Sequence, residues 1–401
     1  MKKKDILSKP TKKEGSIIFH HHEKVYKDEN GGLWISSTLG LWLDELAIAF
    51  DEFYFLSFVS PTKTLKHDHQ LNQANVQWIN LGLNKGYIDF FSKRKRISAI
   101  CKNYNNQVDY LFIRGFTPFQ NKVWFSITPR KKKGFLLVRS LKQPRQVRLF
   151  SPITWVAYLA NKLREFQFRS ILKSDAHLFS NSKEVIKELE EVNGKKAFFS
   201  TTNVLKRRNF EKFDFRRWVS EFSILFVGRV STLKGVNELL EAFITLCKEN
   251  PSIKIKLDLI GDVEASFKNK LEEQLTINNL LPNVSFHGRI PFGEKLFDFY
   301  KKSHLFVLPS YTEGFPRVIW ESALFSNPII VTSVGGIPDL IKHEKHALLV
   351  RPRDSDSLLH AMEKIINKPE KANLLAKNAY ELASEFTLES GIEVISKVLK
   401  S

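Results

Sequence analysis

The chain has 401 residues, enough for two domains with a core each. An apolar fraction of 43% and a mean hydropathy of -0.23 exclude a disordered chain and a bundle of membrane spans. Two cysteines, Cys101 and Cys247, exclude a disulfide framework, and the net charge of +19 sits wholly in the first half, where 40 Lys+Arg face 20 Asp+Glu over residues 1–217.

The N-terminus, MKKKDILSKPTKKEGS, is basic and lacks the apolar run of a secretory leader, so no signal peptide is expected. The most apolar stretch, residues 33–59, is broken by Asp44, Glu45, Asp51 and Glu52, and no transmembrane helix is expected. Residues 16–20 read as a strand, Gly31-Gly32 as a loop and residues 33–50 as a helix. Further strands are expected at 54–59, 76–81, 110–114, 135–139 and 176–180, with a long helix around 155–172. Between Lys93 and Arg148 stand 15 basic residues and one acid, Asp109. That segment is either a solvated lysine-rich face or a surface for anionic partners such as an anionic membrane leaflet. It holds no recognisable base-reading module, so nucleic acid is not an expected partner, although a basic nucleic-acid-binding protein is the non-enzyme alternative.

The second half alternates more plainly. Strands at 224–230, 255–260, 284–287 and 305–308 are separated by helical patterns at 233–249, 265–280 and 294–302. This is the pattern of a parallel sheet with helices on both faces, and such sheets take ligands at the carboxyl ends of their strands. Gly228-Arg229, Gly261-Asp262, Gly288-Arg289 and Pro309-Ser310 all fall at or just past strand ends. The expected domains are residues 1–217 and 218–387, with a C-terminal helix, 388–400, packing back on the first.

Two motifs carry chemistry. In FVGRVSTLKG, Arg229 ends a strand, Lys234 starts the next helix, and Gly228 lets the backbone approach a ligand. Two cations at this spacing can bracket a diphosphate. In PSYTEGFPRVIWE, Glu313 lies in a turn, Pro316 opens a helix and Glu321 follows within it, while Gly335-Gly336 ends the next strand. A fully helical interval would separate the two carboxylates by ~12 Å along the axis. That suits two ends of one elongated polar ligand better than a glycosidase pair ~5–9.5 Å apart.

G-R-x-x-x-x-K-G followed by E-G-F-P-x-V-x-x-E and a downstream G-G resembles the retaining glycosyltransferases of family four, over roughly residues 222–385. The resemblance implies the α/β GT-B fold, two Rossmann-like doubly wound parallel-sheet domains facing a central cleft. It implies that the second domain binds a nucleotide sugar and the first a glycan or lipid-linked acceptor, with no metal or other cofactor. Arg229 and Lys234 would neutralise the diphosphate and Glu313 would accept a hydroxyl of the donor sugar. Glu321 would accept the ribose hydroxyls, and the N–H groups of Gly314, Phe315 and Arg317 would add to the phosphate site. Gly31 and Gly32 would approach the phosphate from the first domain, and Arg289 and Ile290 would border the base. Where the family often has histidines on the acceptor side, the matching positions are Arg114 and Arg139, and fixed positive charge there suits an acceptor with phosphate or carboxylate. Ser326 and Ala347 stand where glycine is common. The enzyme so implied is cytoplasmic and peripheral to the inner face of the membrane, acting in cell-surface polysaccharide or lipopolysaccharide synthesis. A soluble transferase making a small glycoside is the alternative.

Other features have plainer readings. Asp354-Ser355-Asp356 precedes a helical pattern and reads as a cap rather than a metal motif. The runs His20-His21-His22 and His67-Asp68-His69 place neighbours where they rarely converge on one ion. His20 to His22 end the first strand and could touch substrate, and Phe116 and Phe119 could line an acceptor entrance.

Overall fold

A computed structural model describes residues 15–84, 93–115, 117, 119–137, 168–210, 212–217 and 220–401. The chain forms two compact units. Unit 1 comprises residues 1–180, 185–200 and 392–401, and unit 2 residues 181–184 and 201–391. The division therefore falls at Ser200/Thr201, where residues 1–217 and 218–387 were the expected domains. The cause is local: Asn203 Nδ2 donates to Phe386 O at 2.7 Å, and Arg216 donates to Tyr300 O at 3.2 Å and also to Lys301 O and Phe325 O. These bonds tie residues 203–216 to unit 2.

Unit 1 is built on a parallel sheet of β5 (Val76–Leu83), β3 (Glu52–Val59), β1 (Ser16–Lys27), β6 (Tyr110–Arg114), β7 (Lys132–Leu137), β8 (His177–Ser180) and β9 (Phe198–Phe199), in that spatial order. Its strands are apolar on both faces: Ile17, Ile18, Phe19, Phe55, Leu111 and Phe112 are all sealed from solvent. β1 is longer than expected. It bulges between His20 and Lys24, continues to Lys27, and turns back through Asp28–Gly32 into the antiparallel β2 (Leu33–Ile35), which pairs with β4 (His69–Gln70). The helix read at 33–50 is thus only Ser37–Ala47. Its first turn is held by Ser36 Oγ, which accepts from Leu39 N at 3.4 Å, and by Asp68, which accepts from Ser37 N at 2.5 Å. His69 Nε2 bonds Asp44 at 2.8 Å across Gly40, where any Cβ would strike the imidazole. The His67-Asp68-His69 run is therefore a brace for this helix. The last turns of helix Leu388–Lys400 belong to unit 1, with Lys400 Nζ donating to Ala49 O at 2.6 Å. Most of the helix expected around 155–172 and all of Arg139 lie outside the described residues, as does Phe116.

Unit 2 holds a six-stranded parallel sheet in the order β12 (Val284–Gly288), β11 (Lys254–Ile260), β10 (Glu221–Val227), β13 (Leu305–Leu308), β14 (Ile329–Thr332), β15 (Leu348–Val350). Helices Val236–Glu249, Ala265–Ile277 and Glu294–Lys302 lie in its crossovers, and Ser355–Asn367 follows its last strand. Asp354 Oδ1 accepts from Ser357 N at 2.8 Å and caps the last of these. Strand order reverses between β10 and β13, and a crevice at the carboxyl ends flanks such a reversal in open α/β sheets.

Candidate functional site

The loops leaving β10 and β13 flank this reversal and carry the predicted residues. Three close backbone approaches fix them. Gly261 packs so tightly that a Cβ would stand 1.8 Å from Gly228 O, and Gly228 N donates to Ile260 O at 2.9 Å. Gly235, at φ +68, lies against Pro309 O, and Tyr311 N donates to Leu233 O at 3.0 Å. Gly335, at φ +54, lies against Glu313 O, and Gly336 N donates to Gly314 O at 2.9 Å. At Gly235 and Gly335 both the positive φ and the contact demand glycine.

This architecture brings Lys234 and Glu313 together. Lys234 Nζ lies 2.5 Å from Glu313 Oε1, with side chains 29% and 11% exposed. Arg229, on the preceding loop, is exposed and bonds no described residue through its side chain. The N–H groups of Gly314 and Phe315 donate to no acceptor among the described residues. The helix holding Glu321 is Val318–Leu324, starting two residues after Pro316 rather than at it. With under two turns its end carries little dipole, so anion binding falls to the loop N–H groups and the cations. Arg289 and Ile290 follow Gly288 at the end of β12, the first exposed and the second half-buried.

Glu321 is 4% exposed and accepts from the buried Tyr300 hydroxyl at 3.0 Å. Burial raises its pKa, and the Arg317 charge and the Tyr300 hydroxyl pull it partway back. Tyr300 went unread in the sequence because its FDFYKK setting looks like any amphipathic helix. Arg216 also escaped notice: its bonds to the carbonyls of Tyr300, Lys301 and Phe325 fasten the ends of the two helices that supply Tyr300 and Glu321. Ser326 adopts φ +58, which explains why glycine suits the position, and its Oγ accepts from Asp214 N at 3.0 Å.

In unit 1, Gly31 and Gly32 form the β1–β2 turn. Asp28 Oδ1 accepts from Gly32 N at 2.7 Å and from Asn30 N at 3.0 Å, so the Gly32 N–H is bonded within the turn. Arg114 ends β6, its guanidinium 4.7 Å from the Trp42 ring centroid. Phe119 is 1% exposed and packs on Phe58, so it belongs to the core rather than to an entrance. Among the described residues no three His, Cys, Asp or Glu side chains gather as metal ligands, and no helix is long and apolar enough to cross a membrane.

Two doubly wound parallel-sheet units, the second with cations and carboxylates at its switch point, are the architecture of the GT-B fold. Residues 208–382, under half of the chain, match the family described as Glycosyl transferases group 1. An uncharacterized glycosyltransferase of Haemophilus influenzae is 28% identical over 172 residues, covering 43% of this chain and 47% of the relative. The chain thus spans about half the length of the curated relatives it matches, or less. Among solved structures, sucrose-phosphate synthase from Thermosynechococcus elongatus superposes with a TM-score of 0.71 at 18% identity, over 96% of this chain and 98% of that one. Anabaena Alr3699/HepE in complex with UDP-glucose gives 0.68 at 16%, over 96% and 99%. These likenesses establish the fold.

Proposed function

We propose that the chain is a retaining glycosyltransferase that moves a sugar from a nucleotide diphosphate donor, held by unit 2, to a glycan or lipid-linked acceptor. The observation that carries this is the Lys234–Glu313 pair beside the open N–H groups of Gly314 and Phe315 at the switch point of β10 and β13. Each half of that pair has its own ligand group. The diphosphate replaces Glu313 as the partner of Lys234, and Glu313 turns to a hydroxyl of the donor sugar. Arg229 supplies a second cation, so fixed side-chain charge stabilises the departing diphosphate without a metal. Glu321, buried and braced by Tyr300, accepts the ribose hydroxyls. In a front-face displacement the C–O bond to the diphosphate breaks, the acceptor oxygen bonds the same face of the sugar, and the departing phosphate oxygen takes the acceptor proton. The protein positions and stabilises; it need not supply a base.

The charge of unit 1 supports work at an anionic inner leaflet, in polysaccharide or lipopolysaccharide synthesis, where each nearby Lys or Arg contributes on the order of 1 kcal/mol. The name sucrose-phosphate synthase, borne by one structural neighbour, favours a second reading in which the product is a small soluble glycoside. Flotation with anionic vesicles separates them: no binding at low salt selects the soluble enzyme.

A thermal-shift screen over nucleotide sugars tests the donor site. A ligand at a hundred times its Kd stabilises the native state by ~2.7 kcal/mol. One donor class raises the melting temperature, and Glu321→Ala removes most of that rise. If no nucleotide sugar stabilises the chain, the reading fails.

A further inference from the structure

Unit 1 has a switch point of its own. β1 lies between β3 and β6, so the carboxyl ends of β1 and β6 flank the place where strand order reverses. Register pairs His20 with Ile113, which sets the β1 bulge, residues 21–23, beside Arg114. The Arg114 guanidinium lies over the Trp42 ring, and the rings of His21 and His22 are 4.3 Å apart.

The three histidines are not equivalent. His20 is sealed from solvent, its Nδ1 donating to Leu56 O and its Nε2 accepting from the Thr117 hydroxyl, each at 2.8 Å. Burial lowers its pKa to about 4, and it is a neutral structural post. His21 accepts from Glu23 N at 3.2 Å through Nδ1, which leaves the ring proton on Nε2, and that N–H meets no acceptor among the described residues. Burial, then electrostatic repulsion from neighbours including the Arg114 guanidinium, holds the His21 pKa well below the ordinary histidine value, so the ring stays a neutral donor. The carboxylate on the bulge, Glu23, is engaged at 2.6 Å by Ser36 N, ahead of helix Ser37–Ala47.

We propose that Arg114, His21 and His22 form a phosphate-binding subsite on unit 1 that receives a phosphate of the acceptor; the word acceptor rests on the transferase reading above. A phosphate gives the guanidinium fork two oxygens and the His21 Nε2–H a third of its own, whereas a carboxylate must share its two oxygens among all three donors. The same chemistry is offered by a sugar phosphate and by a lipid-linked phosphate.

The test uses the full chain with 15N-labelled histidine, titrated with inorganic phosphate against chloride at matched ionic strength. Ring signals of His21 and His22, assigned through His21→Gln and His22→Gln, shift saturably. Arg114→Gln weakens binding by about tenfold or more, and Arg114→Lys, which keeps charge but not the fork, weakens it less. Lys234→Met, at the donor site, leaves the titration unchanged. His22→Gln alters an exposed side chain, so its weakened binding serves as the check should Arg114→Gln misfold. A hexose phosphate and a short-chain prenyl phosphate then compete, and the tighter binder identifies the source. The proposal is overturned if no histidine signal saturates, if Arg114→Gln and His22→Gln both bind as wild type does, or if neither organic phosphate binds more tightly than inorganic phosphate. Stabilisation by a nucleotide sugar in that event leaves the donor-site reading standing.

Discussion

Tyr300→Phe deletes one oxygen atom and tests how the donor end of unit 2 is held. The hydroxyl donates at 3.0 Å to a carboxylate only 4% exposed, with Tyr300 itself sealed from water, so no solvent screening discounts the bond. A hydrogen bond to a charged group contributes about 1.5–3 kcal/mol, equivalent to ~1–2 units of pKa. Burial already raises the Glu321 pKa, and losing the hydroxyl raises it further. Where the native state holds a proton that the unfolded chain has released, stability falls as pH rises. That window opens at the unfolded value of 4.5 and closes at the native pKa, and the variant's window closes later. From the ordinary carboxylate value up to the wild-type native pKa the two proteins lose stability in parallel; above it the gap between wild type and Tyr300→Phe widens, and it levels off once the variant's own pKa is passed. At ~2–4 °C per kcal/mol for a unit of this size, the plateau corresponds to roughly 3–12 °C in Tm. Melting curves from about pH 5 to pH 8, repeated in a Glu321→Gln background where the pH dependence vanishes, decide the matter. A gap that stays constant across that range refutes the coupling.

Two further outcomes follow from the same geometry. Lys234→Met strands the 11%-exposed Glu313 carboxylate and costs about 1–3 kcal/mol, discounted because Lys234 is partly exposed. It also slows turnover by about 10²–10³-fold. Adding Glu313→Leu restores much of the stability in denaturant melts but none of the turnover, and a double variant with recovered activity contradicts the assignment. In unit 1, Asp68→Ala removes the acceptor for Ser37 N at 2.5 Å and destabilises the helix start by ~1 kcal/mol, with transfer kinetics and response to chelators unchanged. Loss of activity at full stability, measured by denaturant melts beside transfer assays, shows instead that the His67–His69 loop touches substrate.

Unit 2 was legible because its chemistry and its folding signals coincide. Strands buried on both faces read as apolar runs, and the glycines that end them mark where backbones cross within van der Waals distance, as Gly261 does over Gly228. Unit 1 hid more, for reasons of the same kind. The β1–β2 hairpin turns on Asp28, a single acid whose three bonds to Asn30 N, Gly32 N and Trp34 Nε1 leave no periodic trace, so residues 33–35 merged with the helix after them. Tyr300 and Arg216 act through one bond or one carbonyl cluster, and side-chain spacing does not encode such partners. Topology recovers part of what pattern loses. Both sheets reverse strand order once, and both place a cation at the carboxyl edge of that reversal: Lys234 with Arg229 in unit 2, and Arg114, beside the His21 and His22 rings, in unit 1. The two groups differ in what neutralises them. Lys234 already holds Glu313, which suits a ligand bringing both a phosphate and hydroxyls. On the β1 bulge the Glu23 carboxylate accepts from Ser36 N. Under the proposed transferase reading, that difference fits the two edges to different substrates.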